Sequence, residues 1–120
     1  MWIWDQSAGT MSRNGKVVAT GYAGHDYGKN NPKAQNVQGI GPVPRGMWSI
    51  GAPRTSPNTG PYTMSLTPMR GTDPLGRSAF RIHGDSISAP GTASHGCIIL
   101  PRSVRQAIWN SGDHILEVVE

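Results

Sequence analysis

Apolar and polar side chains alternate over the first part of the chain, a pattern typical of short β-strands. Trp2 and Trp4 fall on one face of an extended segment. The Asn-Gly pair at residues 14–15 favours a type I′ turn, and residues 16–22 then return as a second strand. We therefore expect residues 1–24 to form a hairpin or meander.

The middle of the chain alternates between short strands and turn-rich connections. Residues 24–46 are rich in Gly, Asn and Pro and show no periodicity, which predicts a long surface loop bordering a cleft. A second turn-rich connection, residues 53–60, is rich in Pro, Ser and Asn. The strands expected around these connections are residues 46–50, 61–66 and 80–83.

The strand at residues 80–83 has one apolar face and one basic face. Phe80 and Ile82 share one face, while Arg81 and His83 share the other. We expect the apolar pair to be buried and the basic pair to point into the cleft.

The last part of the chain predicts one helix and a closing strand. The helix covers residues 102–111, preceded by Pro101 and ended by Gly112. The residues expected to pack it on the sheet are Val104, Ala107 and Ile108. A strand follows at residues 114–119. The expected fold is mainly β, a curled sheet or sandwich with one short α-helix.

Length and composition fit one domain spanning residues 1–120. With 36% hydrophobic residues, 16 Gly and 10 Pro, the chain is typical of turn-rich globular proteins built from short strands. Its net charge of +4 makes an anionic partner plausible. The basic residues are scattered, with no Lys/Arg-rich block and no nucleic-acid-binding motif, so we expect no nucleic acid partner.

Neither a secretory signal nor a membrane span is expected. The first residues, MWIWDQ, carry no basic segment and no long apolar core. No run of about eighteen apolar residues occurs. The chain contains a single cysteine, which cannot form an intramolecular disulfide, so its chemistry is that of a nucleophile, a metal ligand or a redox sensor.

That cysteine, Cys97, follows Ser94, His95 and Gly96 at the start of an apolar run. Upstream, the strand at residues 80–83 ends in a histidine followed by a glycine. A thiol near its free pKa is only partly ionised at neutral pH, so a cysteine enzyme needs a base or a nearby positive charge. The two segments together predict a Cys/His active site at two strand ends.

These two motifs, His-Gly at 83–84 and Ser-His-Gly-Cys at 94–97, resemble the signature of the YkuD-like L,D-transpeptidases. The segment GPVPRGMWSI at 41–50 resembles their Pro-x-Gly-x-aromatic stretch. The gap between the motifs is shorter than in housekeeping members, and Ile99 stands where many carry arginine. These departures resemble the compact branch that includes type VI secretion L,D-transpeptidase effectors.

The resemblance implies roles for the residues of both motifs. Cys97 would be the nucleophile and His83 the base that takes its proton, with the second imidazole nitrogen held by a backbone carbonyl or, as an alternative, by Asp85. The backbone N–H groups of Gly96 and Cys97 would stabilise the oxyanion. His95 would shape the oxyanion region or contact the substrate.

The implied substrate is a peptidoglycan stem peptide, cut between the L-centre of a diamino acid and the terminal D-alanine. Hydrolysis of the thioester would give L,D-carboxypeptidase activity, and attack by an amine would give transpeptidation. The substrate would contact Gly84 and Ser94, the latter also holding its loop. Stem carboxylates call for arginine, and Arg81 and Arg102 are the first choices, ahead of Arg45.

Two other functions remain open from the sequence. A zinc hydrolase could use His83, His95 and Cys97 as ligands, although we expect no metal and no cofactor. A non-catalytic wall-binding or phage structural module could retain the same fold.

The family also implies where the protein acts and what it meets. With no signal peptide of its own, the chain would be secreted by a delivery device and act in the periplasm of a target bacterium. Its protein partners would be a component of that device and a cognate immunity protein.

Overall fold

Ten strands pair in one sheet that does not close on itself, in a computed structural model that describes all 120 residues. The strands are β1 (Trp2–Asp5), β2 (Thr10–Arg13), β3 (Lys16–Thr20), β4 (Tyr22–Ala23), β5 (Gly46–Ile50), β6 (Arg54–Ser56), β7 (Gly60–Pro68), β8 (Arg81–His83), β9 (Ile98–Ile99) and β10 (Ile115–Val119). Their order is β3-β2-β1-β10-β5-β7-β8-β9-β4, with β6 paired to β7. One helix, α1 (Arg102–Asn110), completes the fold. The prediction of a mainly β protein with one short helix is confirmed.

The N-terminal meander forms as expected. Strands β1, β2 and β3 pair antiparallel in sequence order. Asn14 has φ 54° and Gly15 has φ 76°, the two positive values that a type I′ turn requires. Strand β1 also pairs in parallel with β10, so the two ends of the chain lie side by side in the sheet.

The core is built from buried side chains of the central strands. Because side chains alternate along a strand, Trp48 and Ile50 of β5 and Met64 and Leu66 of β7 are buried. The largest fully buried apolar side chains are Trp4, Trp48, Met11, Met64, Ile82, Ile98, Leu100, Ile108 and Leu116. This core fixes the strands that carry the candidate site.

The segment between β4 and β5 contains no strand, as predicted, but it is more than a surface loop. Short 3-10 turns form at Asp26–Gly28 and Pro32–Ala34, and Val43 is fully buried. Gln38 and Gly39 line a small cavity, so the expectation that this segment borders a cleft is confirmed.

Helix α1 begins at Arg102 as predicted and ends one residue early, at Asn110. Its buried face differs from the expected one: Ile108 is buried, but Ala107 is exposed and Arg105 is buried instead. The arginine is tolerated there because its guanidinium donates to backbone carbonyls.

One further element differs from the sequence prediction. The connection at residues 53–60 contains the short strand β6, which pairs with β7. The helices of the structure include no segment with the length and hydropathy of a membrane span.

Candidate active site

The two motifs meet where β8 and β9 run side by side in parallel. Ile82 pairs with Ile98, and His83 pairs with Ile99. Cys97 directly precedes β9 and His83 is the last residue of β8, so this pairing brings the two motifs together on adjacent strands.

Cys97 is half-buried and lines a cavity of about 240 Å³. Its Sγ lies 3.7 Å from the carbonyl oxygen of Ala79, to which the thiol donates. Burial raises the pKa of the thiol above its ordinary value, while the backbone N–H and charge of Arg81 and the charge of Arg77 act in the opposite direction. The thiol is therefore protonated at neutral pH.

His83 is only 4% exposed, although it lines a second, larger cavity of about 1140 Å³. Its Nδ1 lies 2.9 Å from the carbonyl oxygen of Gly84. In the neutral imidazole this bond places the proton on Nδ1 and leaves Nε2 free to accept one. Gly84 thus supplies the backbone carbonyl that sequence alone could not locate.

The pKa of His83 is lowered, first by burial and then by the charges of Arg105 and Arg81, against the opposing effects of the Gly84 bond and Asp85. The imidazole is therefore neutral at neutral pH, as a general base must be. The carboxylate of Asp85 does not contact the ring; it accepts a hydrogen bond from the Tyr22 hydroxyl at 2.5 Å.

No hydrogen bond joins His83 to Cys97 in the structure. The thiol faces the smaller cavity and the imidazole the larger one. Hydrogen bonds between catalytic groups are often long without substrate and shorten in the reactive complex. A proton transfer between the thiol and the imidazole therefore requires the two groups to come closer than they lie here.

The turn before Cys97 is held by Ser94, which is fully buried and lines neither cavity. Its hydroxyl donates to the Cys97 carbonyl at 2.6 Å and accepts from the backbone N–H groups of Gly24 and Gly96, at 2.9 and 3.1 Å. In this conformation the Gly96 N–H is thus bonded to Ser94 and not turned to a substrate. This places Ser94 in support of the turn and not in contact with substrate.

Gly96 and His95 complete the turn. Gly96 has φ 145°, and a Cβ added there would stand 2.6 Å from Nη2 of Arg77, so no larger residue fits without a shift. His95 is exposed, lines the smaller cavity with Cys97, and contacts the Gly39 carbonyl through Nδ1 at 3.2 Å.

Arg77 was not singled out from the sequence. It is 6% exposed, and its guanidinium donates to four carbonyls, those of Gln35, Gly41, Pro42 and His95, at 2.6–3.2 Å. It ties the segment before β5 to the turn that carries Cys97. Only its neighbourhood in three dimensions distinguishes it from the other arginines.

The predicted carboxylate-binding arginines are separated by the fold. Arg102 lines the larger cavity, together with Arg105, which sequence analysis missed. Arg81 lines neither cavity and lies 3.4 Å from Ser56 Oγ. Arg45 pairs with Glu120 at 3.0 Å, away from both cavities.

The zinc alternative requires three ligands to converge. No group of three His, Cys, Asp or Glu side chains in the chain is placed to hold one ion. His83, His95 and Cys97 therefore do not form a metal site in this structure.

Comparison with known proteins supports the resemblance seen in the motifs. The sequence model of one family, described as the Tlde1 domain, matches residues 17–119. No curated protein sequence matches.

Among solved structures, the crystal structure of an L,D-transpeptidase (Yku) from Stackebrandtia nassauensis has a similar fold, with a TM-score of 0.56 and 16% sequence identity. The match covers 99% of this chain and 54% of that one, so this chain spans about half the length of its structural neighbour. The expected L,D-transpeptidase type of fold is confirmed.

Proposed function

The chain belongs to the Tlde1 domain family, and from that premise we propose that it is a cysteine enzyme acting on peptidoglycan stem peptides. The bond attacked is that between the L-centre of the diamino acid and the terminal D-alanine. The observation that carries the proposal is the parallel pairing of β8 with β9, which brings the His83-Gly84 and Ser94–Cys97 motifs together, with the Gly84 carbonyl accepting from the imidazole and leaving Nε2 free to act as a base.

In the first half-reaction the thiol of Cys97 attacks the carbonyl carbon of that bond. The thiol proton passes to Nε2 of His83, and the Gly84 carbonyl stabilises the imidazolium through Nδ1–H. Collapse of the tetrahedral intermediate breaks the C–N bond. His83 returns the proton to the leaving D-alanine nitrogen, and an acyl thioester remains on Cys97.

In the second half-reaction, water or an amine attacks the thioester. His83 removes its proton, and the thiol is restored when the C–S bond breaks. Water gives L,D-carboxypeptidase activity, whereas the amine of another stem or of a free D-amino acid gives transpeptidation or exchange. The larger cavity opens on His83 and has polar and charged side chains among its lining residues, which supports binding of an extended peptide there.

Membership of the family supports a proposal for the biological setting. We propose that the chain is a type VI secreted effector that acts in the periplasm of a target bacterium. Its producer would need a cognate immunity protein, because its own wall contains the same bonds, and a component of the secretion device would carry it.

Mass spectrometry of muropeptides tests the reaction. Wild-type protein should convert tetrapeptide stems to tripeptides or exchange their D-alanine, and Cys97→Ala should do neither. Unchanged stems with both proteins would refute the proposed chemistry. Wall binding that is equal for both proteins, without turnover, would instead indicate a binding module.

A further inference from the structure

The guanidinium of Arg105 is buried on helix α1, with 6% of the residue exposed. Its Nε donates to the Leu100 carbonyl at 3.0 Å, and its Nη1 donates to the carbonyls of Pro61 and Tyr62 at 2.9 and 3.0 Å. Nη2 donates no hydrogen bond. Three carbonyls therefore fix the group rigidly while two N–H bonds have no partner in the protein.

The free Nη2 lies beside the catalytic histidine. A Cβ added to Gly84 would stand 2.8 Å from it, so the nitrogen packs directly on the residue that follows His83. Arg105, Gly84 and His83 all line the larger cavity. The unpartnered donor therefore borders the space in which a substrate would lie.

The cavity wall carries more positive charge than the protein neutralises. Arg102 lies one helical turn before Arg105 and lines the same cavity. The helix begins here without a side-chain cap, which adds the partial positive charge of its first turn. Neither arginine forms an ion pair.

The acid in this wall, Asp85, is already engaged. It accepts hydrogen bonds from the Tyr22 hydroxyl and from the backbone N–H groups of Ser86 and Gly91. Asp85 therefore does not pair with Arg102 or Arg105, and an external anion can bind to these two arginines.

We propose that Nη2 of Arg105, together with Arg102 and the first turn of α1, forms a carboxylate-binding site in the larger cavity beside His83. The identity of its ligand as a stem-peptide carboxylate rests on the proposed function. A fixed guanidinium is suited to this task, because little side-chain freedom is lost when a carboxylate binds. The site would anchor the stem peptide by a charged group and so align the bond to be cut.

The site itself can be tested without any turnover, by NMR titration with acetate and with acetamide, its uncharged counterpart. Acetate should shift the Arg105 Nε–H and Gly84 amide signals with saturation, and acetamide should not. Arg105→Lys keeps the charge but loses the fixed fork, and Arg102→Gln removes the second charge. Each should weaken acetate binding about tenfold, the lower end of the range for a hydrogen bond to a charged group.

The matched control is Arg54→Gln, which removes an exposed arginine outside both cavities. It should leave the acetate affinity unchanged. Should Arg105→Lys fail to fold, the comparison of Arg102→Gln with Arg54→Gln decides the matter. Equal shifts with acetate and acetamide, or equal effects of these two substitutions, would overturn the site.

The ligand's identity is tested in Cys97→Ser, which cannot form the thioester intermediate, by measuring Kd for three tetrapeptide stems. One has all carboxylates free, one has an amidated C-terminus, and one has an amidated diamino acid carboxylate. One of the two amidated stems should bind severalfold more weakly than the stem whose carboxylates are all free. Arg102→Gln should remove this difference in Kd. Equal affinities refute the ligand assignment while the proposed function stands. Saturable acetate binding with no stem binding leaves the site intact and refutes the function.

Discussion

At the scale of single residues, the protonation states of Cys97 and His83 decide how the proposed nucleophile would be made. Burial raises the pKa of the thiol and lowers that of the imidazole, so both shifts favour the uncharged forms. The resting enzyme would then hold a thiol and a neutral imidazole and not a thiolate–imidazolium pair. The proton would move to His83 only as the substrate is attacked.

Alkylation by iodoacetamide tests this directly, because Cys97 is the only cysteine in the chain. The thiolate is the reacting species, so the alkylation rate should rise with pH. A free thiol has its midpoint near pH 8.5, and the midpoint for Cys97 should lie above that value. His83→Gln should change this midpoint little. The rates are read from the mass shift of the intact protein across a pH series.

A free cysteine peptide provides the reference for that series. A rate for the protein that stays high down to pH 5, and that falls when His83 is replaced, would show a preformed ion pair. That result would contradict the assignment of neutral groups at rest.

At the scale of elements, local sequence signals identified most strands and the helix, and tertiary contacts explain the misses. The turn at Asn14-Gly15 and the Pro101 and Gly112 boundaries of α1 are local signals, so they were predictable. Strand β6 was missed because it exists through its pairing with β7. Arg105 was missed as a buried residue because its carbonyl partners come from other segments.

The connection between the two motifs is an element in its own right, and Tyr22 fixes it to β4. The Tyr22 hydroxyl donates to Asp85 at 2.5 Å and accepts the Ala93 N–H at 3.0 Å, so it joins the two ends of the connection. Burial and the Asp85 carboxylate raise the pKa of Tyr22 to about 12, which keeps the donor protonated. This connection forms part of the wall of the larger cavity.

Tyr22→Phe should loosen that connection without unfolding the sheet. The hydrogen bond that the Ala93 N–H loses contributes about 1 kcal/mol, so its amide hydrogen exchange should accelerate about fivefold, while exchange in β5 and β7 stays unchanged. The measurement is hydrogen–deuterium exchange followed by mass spectrometry or NMR.

Tyr27→Phe is the matched control, because Tyr27 is 64% exposed and its hydroxyl makes no hydrogen bond in the structure. Exchange at Ala93 that is the same in both variants would mean that the Tyr22 hydroxyl does not hold the connection.

At the scale of the whole molecule, the sequence predicted which motifs form the site better than how the fold arranges them. The motifs at 83–84 and 94–97 predict the chemistry, but the parallel pairings of β1 with β10 and of β8 with β9 join distant segments. No local pattern encodes such pairings. The division of the site into two cavities, with a buried arginine at each, is a consequence of that topology.

The burial of His83 also links the stability of the whole fold to pH. Its pKa in the folded state lies below the ordinary value of about 6.5 that it regains on unfolding. Between these two values the unfolded chain binds more protons at this position, so folding stability must fall as the pH drops below about 6.5. Above about pH 6.5, the contribution of His83 to the folding stability is fully present.

Urea unfolding of wild type and His83→Gln at pH 7.5 and 5.0 measures this effect. The pKa values of Asp85 and Asp113 are also lowered, but their stabilising contributions are lost only below about pH 3.9, outside this interval. The loss of unfolding free energy between the two pH values should therefore be larger for wild type than for His83→Gln, with the difference approaching about 1.4 kcal/mol for each pH unit by which the two pKa values of His83 differ. An equal loss in both proteins would show that the imidazole takes up its proton as readily in the folded protein as in the unfolded chain, and would remove the argument for a neutral base held ready in the sheet.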